Sequence, residues 1–453
     1  MWHNGKYMLQ RIHTDALHFS TPVESYWEES ADPLNLKLES MNGSHACDVA
    51  IIGAGFTGLS AALELASSGV DVVVLDAGPI GWGASGRNGG FACFGSHKLS
   101  YAKLLQKYGI DETRRYYGAM KDAIARVASN LDEFGIDAWK AGSGDLSLAH
   151  APSRIADLKA EKEFLKQVTG DDAVLLSQDE LRQQGHSGPQ FFGGLIHPNG
   201  FGIHPLNYVR GLARAAHKAG AKLHQHSCMI RWEQNGGVHR IVTEHGTVTA
   251  KRVLVATNGY TPENISTHHA GRLLPALSSI MVTRPLSEAE KQEQGWTSNI
   301  MASDSRTLLH YFRLLPNNRF LFGGRGGTDS SVHGADVYRT HITAAFHRLF
   351  PAWRNVDITH YWRGFVCLSY DKVPYVGALD DGKSVWTSIA YHGNGVAMAS
   401  HCGRAVARMM LGKAGKNELP AILTRRLAKF PVPAFRTLYL KGAYLWFGWK
   451  DAR

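Results

Sequence analysis

Cysteine is scarce and scattered: five in 453 residues, at 47, 93, 228, 367 and 402, with no CxxC pair. That count and spacing argue against a disulfide scaffold or a cysteine-based metal site, and a reducing compartment is the expectation. Proline, at 16, is not raised, so a Pro-rich linker or low-complexity chain is not expected. No run of about 18 apolar residues occurs, so nothing in the sequence spans a membrane. The opening MWHNGKYMLQRIHTDALHFS has no apolar core of signal-peptide length; a cytoplasmic protein is expected. No block of five or six like charges appears either, which argues against a nucleic-acid-binding tail. Lys plus Arg exceed Asp plus Glu by 49 to 39, a formal net charge of +10. So mild a basic balance fits an acidic substrate, an anionic cofactor or a membrane face alike.

What is in excess is glycine: 48 residues, about 11% where roughly 7% is ordinary. Eleven of them fall between Gly53 and Gly95. Glycine clustered without proline points to tight turns and close backbone approaches in one region. With 44% apolar and 19% charged residues, the chain is neither disordered nor fibrous. Its length fits two or three domains at roughly 150 residues each.

The glycine-rich region has an order. CDVAIIG reads as a buried parallel strand ending at Gly53, FTGLSAALELASSG as a helix stopped by Gly69, and VDVVVLDAG as a second buried strand. Together they make one βαβ unit. Gly53-x-Gly55-x-x-Gly58 stands between strand and helix, where a dinucleotide fingerprint belongs: the first glycine turns, the second admits a pyrophosphate, the third packs helix on strand. The helix N-terminus would face the phosphates. Asp76 ends the second strand, where an acid is needed to bind a ribose, and it disfavours a 2′-phosphate. FAD and NAD remain. The loop that follows, GPIGWGASGRNGGFACFG, carries more glycines beside Ser85, Arg87 and Asn88. A glycine-rich backbone there suits wrapping a pyrophosphate and reaching a flavin ring, so FAD is the expectation.

Further along, residues 99–140 and PSRIADLKAEKEFLKQV read as helices. PLNYVRGLARAAHKAGAKLHQHSCMIRW reads as helix, glycine stop and strand. VHRIVTEHGTVTAKRVLVATNG reads as a hairpin turning at HGT, then a separate buried strand at RVLVAT. The chain is strand-rich after Pro262 and returns to strand, glycine turn and helix from Trp362 to Leu411. The expected fold class is α/β, a doubly wound Rossmann-type FAD-binding domain with an interleaved α+β substrate domain on a mixed sheet. Residues 46–98, 200–262 and 361–412 would form the first domain, and 99–199 and 263–360 the second. Residues 1–45 would be an arm and 413–453 a C-terminal helical segment.

With these motifs assembled, the sequence resembles the FAD-dependent oxidoreductases of the D-amino-acid oxidase (DAO) type, and within them the gamma-glutamylputrescine oxidases and the glycine and sarcosine oxidase-like amine oxidases. The carriers run from Ser25-Tyr26-Trp27 through the fingerprint with Asp76, SGRNGG, IHPLNYVRGLARAAHKAGA, KRVLVATNGY and FLFGGR to W-R-G-F, P-Y-V-G, AYHGNGV and GRAVARMMLG. The resemblance implies that Gly53, Gly55, Phe56, Thr57, Gly58, Asp76 and Ala77 hold the AMP end of FAD. Ser85, Gly86, Arg87, Asn88, Gly89 and Gly90 would follow the diphosphate and ring, and Met229 and Ile230 would touch adenine through their backbone. Thr257, Asn258 and Gly259 would form the family's ATG turn, and Gly364, His392, Gly393, Asn394, Gly395 and Val396 would lie at the flavin. The family's closing motif reads G-x-x-G-H-G-V; here Asn394 stands between the glycines and His392 two residues earlier. No metal is implied. FAD is expected to be non-covalent: Cys367 lies near the position at which some sarcosine-oxidase relatives attach it, but the register from Pro374 is off by one, and a small core cysteine is the expectation.

His392, Tyr311 and Arg313 are the candidates for catalytic, substrate- or flavin-facing positions, the last two because they alternate on one strand. Trp362, Arg363 and Tyr370 form an aromatic and basic cluster, and Arg325 in GGRGG is a candidate anion binder. The aromatics of TLYLKGAYLWFGWKDAR are expected to pack in the core, with membrane-surface attachment as the other reading. The family resemblance implies oxidation of a primary or secondary amine (an amino acid, an N-substituted amino acid or a gamma-glutamyl-polyamine) to an imine that water hydrolyses, with O2 as acceptor giving hydrogen peroxide. The rivals are a membrane-associated dehydrogenase of the same fold passing electrons to a quinone or partner protein, a tRNA-associated flavin enzyme, and a non-enzymatic flavin-binding protein.

Overall fold

A computed structural model describes residues 12, 14–94, 99, 101–415 and 418–451. Two eight-stranded sheets organise them. The first runs, in spatial order, Tyr375–Ala378, Val385–Ile389, Gly246–Val255, Gly43–Ile52, Val72–Leu75 and Lys222–His224, with Arg231–Asn235 and Val238–Val242 attached beside it. From Val385–Ile389 to Lys222–His224 every pairing is parallel. Val49, Ala50, Ile51 and Val72–Val74 are fully buried, as near-continuous apolar runs must be when both faces are covered: helices lie over one, and Met229, Trp232, Ile241 and Ile265 pack on the other. The helices Phe56–Ala66, Pro205–Lys218 and Gly395–Met410 pack on this sheet and on one another. The expected hairpin at HGT is present, but RVLVAT is not a separate strand. Gly246–Val255 is one continuous strand, because all of it finds a parallel partner in Gly43–Ile52 while its first half also pairs with Val238–Val242.

The second sheet is mixed. Its order is Ile358–Ser369, Leu273–Pro285, Arg319–Arg325, Tyr311–Leu314, Met301–Asp304, Asp145–Leu148, Gly193–His197 and Val174–Ser177, antiparallel throughout except where Met301–Asp304 meets Asp145–Leu148. Ile358–Ser369 therefore belongs here, and the expected segment 361–412 is divided between the two sheets. A tightly packed aromatic cluster, including Trp296, Phe312, Phe320, Phe322, Phe346, Phe350 and Trp353, lies behind the second sheet.

Two terminal segments differ from expectation. Ser25 caps the short helix Tyr26–Ser30, and Trp27 is wholly buried, so this part of residues 1–45 is built into the fold. At the other end, the helix Arg436–Asp451 does not bury its aromatics in the core: Leu445, Trp446 and Trp449 are 78%, 60% and 49% exposed. Apolar residues recur around the whole helix, and one side of it is turned to the protein while the other is exposed. Among the described residues, no helix is long and apolar enough to cross a membrane, and no group of three or more His, Cys, Asp or Glu is placed to hold a metal.

Candidate active site

One large cavity runs from the carboxyl ends of the parallel strands to the face of the mixed sheet. Its first end is the fingerprint. Gly53 has φ +106°, and an added Cβ would lie 2.9 Å from the Ala256 carbonyl oxygen. At Gly58 a Cβ would stand 1.9 Å from the Gly53 carbonyl oxygen, so only glycine lets the Phe56–Ala66 helix lie this close to the strand. Asp76 closes the turn. Its carboxylate accepts the Ala54 N–H at 2.7 Å and the Gly78 N–H at 3.0 Å. Gly53, Gly55, Phe56, Thr57, Asp76, Ala77 and Met229 line this end, whereas Gly58 packs beneath it and Ile230 points to solvent, 52% exposed.

Burial pushes the Asp76 carboxyl up to about 6, against the pull of the two N–H donors. In the cofactor-free protein the stability this raised value confers is complete below the ordinary carboxylate value of 3.8 and is lost as pH rises through about 6. A hydroxyl donated to the carboxylate favours its charged form. FAD affinity is therefore expected to rise with pH through about 6 and level off above about 7, and Asp76→Asn to remove that slope and weaken binding roughly tenfold. Flavin-fluorescence titrations from pH 5 to 8 check this; a wild-type affinity flat across about 5 to 7 would contradict it.

The loop 82–90 forms the cavity wall and is held from several directions. Ser85 accepts the Phe56 N–H at 2.9 Å, tying the loop to the fingerprint helix. Asn88 bonds within the loop, to the Ala84 and Ser85 carbonyls and the Gly90 N–H. The Trp27 indole donates to the Asn88 carbonyl and the Trp362 indole to the Arg87 carbonyl, both at 2.8 Å. Arg87 stacks on Trp82 with its guanidinium carbon 3.9 Å from the ring centroid and donates through Nε to the Trp82 carbonyl, yet its buried Nη2 has no hydrogen-bond partner among the described residues. Burial draws the Arg87 guanidinium below its usual value. Ser85, Arg87, Asn88 and Gly89 line the cavity, while Gly86 and Gly90 pack against the Gly81 and Ile203 carbonyls outside it.

Opposite lie Thr257, Asn258, Gly364, Cys367, His392, Gly393, Gly395 and Val396. The Asn258 side chain accepts the Ala390 N–H at 3.0 Å, joining two loops at the strand ends; Gly259 packs behind against Phe365. His392 adopts φ +57°, and its Nε2 lies 3.0 Å from the Ser369 hydroxyl. Asn394 does not face the cavity: its Nδ2 donates to the Phe94 carbonyl at 2.9 Å.

The mixed sheet supplies the last wall. Tyr311 lines it and bonds the Ser278 hydroxyl at 2.8 Å. Gly323 faces it across the strands, where a Cβ would fall 2.2 Å from the Tyr311 ring; the glycine makes room for the ring. Arg325, half-buried, lines the same wall and has no ion-pair partner among the described residues. Arg313 does not line it. It shares the Tyr311 face but is sealed under the loop, where its Nε donates to the Gly89 carbonyl at 3.1 Å and its Nη2 to the Ile203 carbonyl at 2.5 Å. Burial lowers its guanidinium to about 9. It is a strut for the loop. The cluster of Trp362, Arg363 and Tyr370 is likewise not a substrate wall: Trp362 holds the loop, Arg363 donates to the Asp329 and Ser331 carbonyls, and Tyr370 is half-exposed against Phe430.

Sequence reasoning passed over several lining residues. Ser278, Ile280, Ser303, Leu309 and Asp145 come from three strands and a turn and meet only through sheet order. Asp145 is buried with its carboxyl raised to about 6 by desolvation and hydrogen-bonded by Cys93. Its one sequence signal was an acid inside a strand-like run.

FAD fits this cavity on the structure's own terms. A dinucleotide needs a turn where a side chain would collide with backbone, which Gly53 and Gly58 provide. It needs a carboxylate for a ribose, which Asp76 supplies, and a buried donor, which is Arg87 Nη2, without a hydrogen-bond partner among the described residues.

Comparison with known proteins agrees. The family described as "DAO: FAD dependent oxidoreductase" matches residues 48–409. The chain is 34% identical over 432 residues to "Probable oxidoreductase OrdL" of Rhizobium meliloti (strain 1021), covering 94% of this chain and 97% of that one. It is 31% identical over 416 residues to "Gamma-glutamylputrescine oxidoreductase" of Escherichia coli (strain K12), covering 92% and 94%. Among solved structures, glycine oxidase from Geobacillus kaustophilus superposes with a TM-score of 0.67 at 20% identity, covering 84% of this chain and 99% of that one; this last likeness concerns fold.

Proposed function

Because the chain belongs to the DAO family of FAD-dependent oxidoreductases and acts on C–N groups, we propose that it oxidises a primary or secondary amine that also carries a carboxylate. The product is an imine that water hydrolyses, and the acceptor is O2, giving hydrogen peroxide. The observation that carries the reading is Arg325: a half-buried guanidinium on the cavity wall, beside the Tyr311–Ser278 pair and without an ion-pair partner among the described residues. A planar fork of donors in that setting matches a carboxylate bidentately.

FAD, when bound, supplies the two-electron acceptor for the carbon next to nitrogen. The chain does the rest. Gly53, Gly55 and the N-terminus of the Phe56–Ala66 helix would receive the diphosphate, and Asp76 the adenosine ribose. The N-terminus of the Gly395–Met410 helix opens onto the cavity with Gly393, Gly395 and Val396 and brings the positive end of its dipole there. Arg325 would anchor the carboxylate, and Tyr311 would hold the amine-bearing carbon in register through its hydroxyl. Phe91, Ile280 and Leu309 line the pocket with apolar surface that excludes water. His392, fixed by Ser369, is a positioning group at the flavin side.

A panel of amines added anaerobically to the FAD-loaded protein tests this. Carboxylate-bearing amines are expected to bleach the flavin at least about tenfold faster than the same amines without the carboxylate, and readmitted oxygen to restore colour with stoichiometric peroxide. Failure of every amine would end the reading. The exposed aromatics of the Arg436–Asp451 helix favour a second one, in which the same oxidation passes electrons to a membrane-held acceptor; dye reduction with negligible oxygen uptake would select it.

A further inference from the structure

The helix Arg436–Asp451 has two apolar faces: one is turned to the protein and the other is exposed. At about 100° per residue, Thr437, Leu440, Ala443, Tyr444, Phe447 and Asp451 share the side turned to the protein with buried Arg436. Tyr444 on that side has a buried hydroxyl and lies near Arg325 and Tyr338. Asp451 fastens the end of the helix by accepting the Thr307 and Leu308 N–H groups at 3.0 and 2.7 Å. Leu438, Tyr439, Leu445, Trp446 and Trp449, continued by Phe435 before the helix, lie on the opposite arc of about 120°, and all are 45% exposed or more. Lys441 and Lys450 flank that arc, one on each margin, and both are exposed.

Five features of this segment point to its occupant. Between Leu419 and Lys450 the sequence has Arg425, Arg426, Lys429, Arg436, Lys441 and Lys450 and no acid, so the segment is complementary to an anionic surface. Bordering lysines are what a bilayer interface tolerates, since their stems run along apolar surface while the heads reach phosphate; the cores of protein interfaces are depleted in lysine. Tryptophan and tyrosine are the residues of the membrane–water boundary. The segment also lies beyond residues 48–409, which the family shares, so the common fold does not require it. A helix with Gly442 and Gly448 in its exposed half is intrinsically weak, and apolar contact on the outer side would reinforce it.

We propose that the outer face of the Arg436–Asp451 helix docks the enzyme on an anionic lipid surface, lying in the interface plane with Leu445, Trp446 and Trp449 inserted and Lys441 and Lys450 on the headgroups. The inner face of the same helix neighbours Arg325, so docking sets that wall of the cavity toward the membrane.

The test uses the full FAD-loaded protein and extruded vesicles of phosphatidylcholine alone or mixed with phosphatidylglycerol, separated by flotation. The protein is expected to float with the phosphatidylglycerol vesicles and to be released as salt rises. Lys441→Glu/Lys450→Glu is expected to weaken binding roughly thirtyfold, and Trp446→Ser/Trp449→Ser at least about a hundredfold. Both variants should keep their flavin absorbance and solution amine kinetics. Should the tryptophan variant fold poorly, quenching of wild-type tryptophan emission by brominated lipids replaces it, and no quenching counts against the proposal. Protein that stays at the bottom of the gradient with phosphatidylglycerol vesicles overturns it. So does a dimer that Trp446→Ser/Trp449→Ser converts to monomer while the wild type ignores lipid, for then a second copy covers the strip.

Discussion

Gly58→Ala is expected to purify without colour. The added Cβ would stand 1.9 Å from the Gly53 carbonyl oxygen and 3.1 Å from its carbon, both backbone, with Ile51 Cγ2 at 3.2 Å. Relief requires the Phe56–Ala66 helix to move off the strand. Behind it, Gly403 of the Gly395–Met410 helix is so close that its own Cβ would lie 2.3 Å from the Thr57 carbonyl oxygen, so there is no room to retreat. Overpacking of this kind costs about 1–3 kcal/mol and sometimes more, and here the strain falls on the turn that must meet the diphosphate. FAD affinity should drop at least about a hundredfold, roughly 3 kcal/mol. The thermal stabilisation that added FAD gives the wild type should shrink accordingly. Gly118→Ala is the control: that helical position has nothing within 4 Å of the added atom, and no loss of flavin is expected. A yellow Gly58→Ala protein with wild-type affinity would remove the nucleotide assignment from this turn.

Arg325→Met should separate substrates instead of abolishing activity. Truncating one partner of a desolvated charge pair costs about 2–5 kcal/mol, and half-burial puts Arg325 at the lower end. The amine concentration needed for half-maximal anaerobic flavin reduction is expected to rise roughly a hundredfold for carboxylate-bearing amines. For amines without a carboxylate it should change by less than about threefold. Arg325→Lys should recover only part of the loss, because a point charge does not reproduce the guanidinium's paired donors. If the loss were the same for every amine, Arg325 would be supporting the fold of the wall, and the carboxylate reading would fail.

Helix and strand periods were read correctly where they were long and uninterrupted. The βαβ unit, the helix ending near Lys218 and the final Gly395–Met410 helix stand close to where their patterns place them. The fingerprint was legible for the same reason: Gly53, Gly58 and Asp76 are close in sequence, and the reason for each residue type is a contact within a single βαβ unit. The substrate wall was legible only in part. Strand alternation put Tyr311 and Arg313 on one face, and they do share it. Depth along that face decided their roles, because the Gly89 and Ile203 carbonyls cover one and the cavity opens over the other. No local pattern announces that a loop will come to lie on a strand more than two hundred residues away. The same holds for the indoles of Trp27 and Trp362, which reach the loop from opposite ends of the chain.

The C-terminal aromatics show the limit from the other side. A helix with apolar residues all round fits burial, and its composition alone favours that reading. Whether both faces are buried depends on how many neighbours the fold brings up, and here one face stays exposed.

By itself, then, the sequence determined the dinucleotide turn, the preference for FAD and the general order of elements, because those follow from short-range sterics and hydrophobic period. Only the tertiary structure decided which strands join into one wall, that Arg325 has no ion-pair partner among the described residues there while Arg313 is spent on the loop, and that the last helix keeps an exposed apolar face. Those outcomes depend on sheet order and on what packs over each face, which are sums of contacts between residues far apart in the chain.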